Sequence, residues 1–247
     1  MKKEVISRAF LSFFFLTAII VLSKIKLHPI FGTSGKFSLV GPFIAIIPYF
    51  LGITIGGIVI FSARIIQFII GISHAKNVIS YLAFLPAYFA GIQFKKIFKG
   101  DRRVIIIPLI AILLFILHPI GRMVWYYSLF WLIPIIITLS QPKLRKLSKR
   151  WDIPTKYLYS LSATYIDHAI GSIIFLYAFN IPAVYWNMAI PYVPIERAIF
   201  ALIILGFYLF VKHALDALSR VVPIYIIERE IVPVEKEVIE AEVVAKN

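Results

Sequence analysis

Residues 161–179 read LSATYIDHAIGSIIFLYAF, nineteen mostly apolar residues with Asp167 and His168 at their centre. A helix that crosses a bilayer needs about 20 apolar residues. A charge facing lipid at its midpoint costs at least ~2.5 kcal/mol. Either this segment is not in a membrane, or Asp167 faces a specific partner. The rest of the chain decides between the two.

Of 247 residues, 61% are hydrophobic and 15% are charged; soluble domains average roughly 45–50% and ~25%. Mean hydropathy is +0.91. The composition implies an all-α integral membrane protein, multi-pass in the cell membrane, with the lipid bilayer as its partner. There is no cysteine, which excludes disulfides, cysteine–zinc sites and thiol catalysis. The formal charge of +14 would suggest nucleic acid in a soluble protein. Here the excess of lysine and arginine on cytoplasmic loops explains it, and no nucleic-acid partner is expected. Met1-Lys2-Lys3 precedes an apolar run that no A-x-A site ends, so a retained first helix is expected.

Eight candidate spans follow: 8–25; a short helix within 37–51; 52–71; 78–94; 104–117; 123–140; 157–179; and 195–218. With the N-terminus in the cytoplasm, sixteen lysines and arginines fall inside, including the runs KKIFKGDRR (95–103) and KLRKLSKR (143–150). Six fall outside: Lys24, Lys26, Lys36, Lys76, Arg122 and Arg197. The bias supports this orientation, with both termini cytoplasmic. Residues 1–220 form the transmembrane domain. Residues 221–247 carry six of the twelve acidic residues and read as a charged cytosolic tail. LHPI occurs at 27–30 and again at 117–120, a hint of the duplicated halves found in many transporters.

Ionisable groups inside a membrane point to function. In 52–71, Gly57, Ile60, Arg64, Gln67 and Gly71 share a helical face; in 157–179, Thr164, Asp167, His168, Gly171 and Ser172 form a polar stripe. At ~1.5 Å per residue, Arg64 lies about 18 Å and Asp167 about 15 Å from the inner face. At matching depth the two can neutralise each other, so an Arg64–Asp167 pair is expected, either as the floor of an outward-opening pocket or simply to hold helix register. His74, His118, Arg122, Trp125, Tyr126, Trp186, Asn187 and Glu196 gather toward the outer side and complete the candidate substrate site. Glu196 and Arg197 belong to VPIER, a third place where charge meets a helix. Gly52 and Gly56 have the spacing of a close-packing helix face.

Catalytic patterns are weak. GTSG at 32–35 with HAIG at 168–171 matches the serine and histidine motifs of rhomboid-type proteases, but Ser34 sits in an outer loop. There is no HExxH and no GxxxxGK[ST]. His74, His118 and His168 come from three elements with no metal-ligand spacing. No catalytic residue, metal or cofactor is expected.

Several segments together resemble the substrate-binding S-component of energy-coupling factor (ECF) vitamin transporters. They are HPIFGTSGKFSLVGPF, YFLGITIGGIVIFSARIIQFIIG, YLAFLPAYFAG, DHAIGSIIFLY and IPYVPIERAIFALI, about half of the chain. The resemblance implies a six-helix core, here with an inserted hairpin over 103–140. It also implies capture of a vitamin-like solute from outside, and partners in a transmembrane coupling subunit and ATPase subunits. A stand-alone secondary transporter, or a membrane enzyme using Asp167 and His168 on a lipid-type substrate, are the alternatives.

Overall fold

The structure is a computed structural model that describes residues 2–29, 36–73 and 78–219. His74, Asn77, Ser34 and the tail lie outside the described residues. The described residues are all-helical apart from one small antiparallel ribbon. Its elements are α1 (Lys2–Leu22), β1 (Lys26–Pro29), β2 (Lys36–Ser38), α2 (Val40–Ile44), α3 (Ile47–Leu51), α4 (Ile53–Ile69), α5 (Val78–Leu82) and α6 (Leu85–Phe98). Then come α7 (Ile106–Leu117), α8 (Pro119–Met123), α9 (Leu132–Ser148), α10 (Asp152–Phe179), α11 (Ala183–Ala189) and α12 (Val193–Ser219). Short 3-10 turns at 102–105 and 125–131 precede α7 and α9.

Each of the eight candidate segments contains helix, but among the described residues only α10 and α12 are long and apolar enough to cross a membrane by length and composition. The others are shorter or broken for local reasons. Pro48 occupies the first turn of α3, where its missing N–H removes nothing. Gly52, at φ +88°, lets the chain turn from α3 into α4. Pro86 similarly opens α6 after the break at Ala83–Phe84. Gly56 and Gly91 receive Pro48 from opposite sides, and a Cβ on Gly91 would sit 2.6 Å from its ring. The glycine pair thus splits its work: Gly52 turns the chain, and Gly56 packs closely.

The two LHPI copies fold differently. The first lies largely in β1, whereas in the second His118 caps α8 and Pro119 opens it. The repeated letters carry no repeated structure over their described residues.

Helix α10 is the axis of the molecule. At about 42 Å long it packs against α6, α7, α9 and α12. Its first half joins a core built around Phe15, Phe50, Phe94, Phe98 and Tyr208. Its second half is wrapped by a separate aromatic cluster of Phe115, Tyr127, Trp131 and Trp186, drawn from α7, the 125–131 turn and α11. Between the cores, Gln93 of α6 is fully buried and donates to Thr138 of α9 (2.9 Å) and Ser162 of α10 (2.8 Å). The outward faces are apolar: Phe13, Ile69, Met123 and Phe210 are each more than 65% exposed.

The basic runs 95–103 and 143–150 meet at one end of the bundle, where Arg145 donates to the carbonyl of Phe98 (2.7 Å). Asp101 accepts from Lys96 (2.7 Å) and from the Arg103 guanidinium (3.0 and 3.1 Å), and caps the 102–105 turn.

Candidate functional site

Two cavities flank the short helix α2, and both are lined by Val40 and Gly41. The first, about 230 Å³, is bounded by Ser38, Pro42, Ala45, Ala90, Thr164, Asp167, Phe200 and Ile204. The second, about 170 Å³, is bounded by Ile19, Ile44, Ile60, Arg64, Gln67, Ala83, Phe84 and Ala87.

Asp167 is the charged group of the first cavity. Its partner is not Arg64 but Arg197, in the first turn of α12. The Nη1 of Arg197 donates to Asp167 Oδ2 at 3.1 Å and toward the carbonyl of Thr164 at 3.4 Å. Nη2 lies 3.6 Å from Glu196 Oε2, and the guanidinium covers the Phe200 ring at 4.8 Å. The Arg197 side chain is 5% exposed and that of Asp167 36%. The cation is thus packed behind the carboxylate, which faces the opening. Thr164 Oγ1 closes the junction: its single O–H donates to the carbonyl of Leu161 (2.8 Å), with the carbonyl of Arg197 at 3.3 Å as the alternative acceptor. Arg197, expected in an outer loop, is therefore a buried part of the site.

The reason is an axial offset. Thr164 lies fifteen residues before the end of α10, while Arg197 lies four residues after the start of α12. The two backbones meet there, so α12 begins only about 6 Å above a level beyond which α10 runs on for about 22 Å. Depth counted from helix starts misses such an offset. The one sign of it in the sequence is an arginine inside the first turn of a long apolar helix.

Arg64 is the charged group of the second cavity. It donates to Gln67 Oε1 (3.2 Å) and to the carbonyl of Ser80 (2.7 Å), and lies over Phe68 at 4.6 Å. Both hydrogen-bond partners are neutral, and its Nε is buried without an acceptor. Ile60, Arg64 and Gln67 do share the expected face. Gly57 of that set packs instead on Tyr88, and Gly71 is a turn at φ +71°.

The polar stripe of α10 divides in two. Neighbouring residues on a helix are about 100° apart, and Asp167 and His168 point to different cores. Thr164 and Asp167 face the first cavity. His168 faces the aromatic cluster, where Trp131 Nε1 donates to its Nδ1 (3.1 Å) and its Nε2 lies 2.8 Å from Tyr127 Oη. An indole N–H can only donate. His168 Nδ1 is therefore unprotonated, the ring is neutral, and Nε2–H donates to Tyr127. This histidine is held as structure and does not reach the cavity with Asp167.

The outer group disperses. His118 accepts from the N–H of Ile120 (3.3 Å) and pairs with Asn180 (3.1 Å), as a helix cap. Trp186 is buried in the aromatic cluster and donates to the carbonyl of Ile181 (3.0 Å). Tyr126 donates to Asn187 (2.6 Å) on the surface, and Trp125 and Arg122 are exposed beside them. None of His118, Arg122, Trp125, Tyr126, Trp186 and Asn187 lines either cavity. Glu196 reaches the site only through Arg197. Among the described residues, no group of histidine, aspartate and glutamate has the arrangement of a metal site.

No protein-family model matches the chain, and no curated protein or solved structure does either.

Proposed function

We propose that this chain is a multi-pass membrane protein that binds a small polar solute between α2, α4, α10 and α12, as the capture component of an uptake system. The observation that carries the reading is the paired cavity itself. Charged residues line two openings inside a body whose outward faces are apolar, and such a body is suited to lipid rather than to water. α10 and α12 supply lengths fit to span, and shorter apolar helices complete the bundle. The segmental resemblance to ECF S-components, together with the lack of a phosphate-binding loop in the sequence, favours a separate coupling subunit and ATPase subunits as partners.

The test is mass spectrometry of compounds released from the purified protein. A small polar molecule should be present with the wild-type chain and depleted at least about tenfold in Asp167→Asn, as loss of a charged hydrogen bond predicts. A folded wild-type preparation that neither releases a compound nor binds any added polar solute overturns the reading.

A further inference from the structure

We propose, building on that solute-binding reading, that the solute is bipolar: a protonated amine against Asp167, an acidic group against Arg64, and connecting atoms that pass Gly41. Three observations meet here.

The first is charge. Asp167 and Glu196 share the single guanidinium of Arg197, which leaves that cluster one formal negative charge in excess. Oδ2 of Asp167 receives Arg197, and among the described residues no hydrogen bond goes to Oδ1. An ammonium group supplies both the missing charge and the missing donors. The second is the opposite imbalance across α2. Arg64 has five N–H donors, bonds only a neutral amide and a carbonyl, and keeps a buried Nε without an acceptor. A carboxylate or similar anion completes it, and a planar fork of donors recognises such a group well.

The third is the partition. Val40 and Gly41 are the residues common to both cavities, and a Cβ built on Gly41 meets nothing within 4 Å. Gly41 is the second residue of the five-residue α2, and neither a close contact nor a positive φ requires glycine there. Its effect is to leave open space beside a residue that lines both charged cavities. Gly41 is thus a specificity-determining residue, and the distance past it sets the length of solute accepted.

The probes are 4-aminobutanoate, 6-aminohexanoate and 8-aminooctanoate, each compared with the alkylamine and the carboxylate of equal chain length. Their affinities are measured by titration calorimetry on the full chain in lipid nanodiscs. At least one amino acid should bind about tenfold tighter than both of its singly charged counterparts. Arg64→Gln should remove that advantage and leave the alkylamine unchanged, with Arg64→Lys restoring part of it. Gly41→Leu should abolish amino-acid binding with an unaltered unfolding temperature, so this arm does not depend on whether Arg64→Gln folds.

Equal binding of amine and amino acid, or an unchanged affinity in Gly41→Leu, overturns the bipolar solute while the solute-binding reading stands. If no probe binds, the compound released from the purified protein decides. One that carries both an amine and an acid supports the proposal, and one that lacks either overturns it. No probe binding and no released compound overturn both.

Discussion

Arg197 is the residue on which most of the site depends. Its guanidinium is buried and holds two carboxylates, one on its own helix and one on α10. Replacing it with methionine keeps the volume and removes the charge. Breaking the pair from one side leaves a carboxylate that is about a third exposed, so the cost is about 1–3 kcal/mol, below that of a fully buried pair. Arg197→Met should therefore lose about that much stability in chemical unfolding, and adding Asp167→Asn should return part of it. If the double variant is as unstable as the sum of the singles, the two residues are not coupled.

A second residue gives a pH signature away from the apolar segments. Hydrogen bonds from Arg103 and Lys96 hold the Asp101 carboxyl well below the usual carboxylate range. A carboxylate with a depressed folded pKa stabilises the fold above its unfolded value of about 3.9. That contribution is lost as pH falls from there toward the folded value. Asparagine keeps the cap and removes the charge. The difference in unfolding temperature between wild type and Asp101→Asn should be small but present at pH 7, and should close progressively below about pH 4. A gap that persists unchanged at pH 3 would show that the charge plays no part.

Among the elements, two glycines of similar appearance behave oppositely. Gly91 of α6 lies against Pro48 of α3 so closely that a methyl would overlap the ring, whereas Gly41 of α2 faces open space. Gly91→Ala should destabilise by about 1–3 kcal/mol through overpacking. Gly41→Ala should be neutral or stabilising by up to ~1 kcal/mol. Thermal unfolding of the two variants side by side separates a glycine kept for packing from one kept for space. The same contrast explains the breaks in the helices. Pro48 needs a glycine on each side, Gly56 and Gly91, and α3 can seat itself there only because Gly52 releases the chain from helical geometry before α4 begins.

For the whole molecule, the basic runs gather at one end and the surface between the ends is apolar. In the proposed orientation that basic end is cytoplasmic, facing the anionic leaflet. The chain has no cysteine, so single cysteines report topology without background. Lys146→Cys at the basic end and Arg122→Cys in the last turn of α8 are both at exposed positions. In intact cells an impermeant maleimide should label Arg122→Cys, and should reach Lys146→Cys only after lysis. Equal labelling of both before lysis would remove the spanning arrangement.

Much of this was legible in the residues themselves. Composition points to a helical apolar chain, and the described residues are helical apart from the ribbon of β1 and β2. Helical spacing places Ile60, Arg64 and Gln67 on one face, since that depends only on 3.6 residues per turn. What spacing does not contain is how far one helix is shifted along its neighbour. Asp167 meets Arg197 rather than Arg64 because α12 starts partway along α10. Helical geometry separates Asp167 and His168 by about 100°, but only the tertiary structure shows that one side holds the cavity and the other Tyr127 and Trp131.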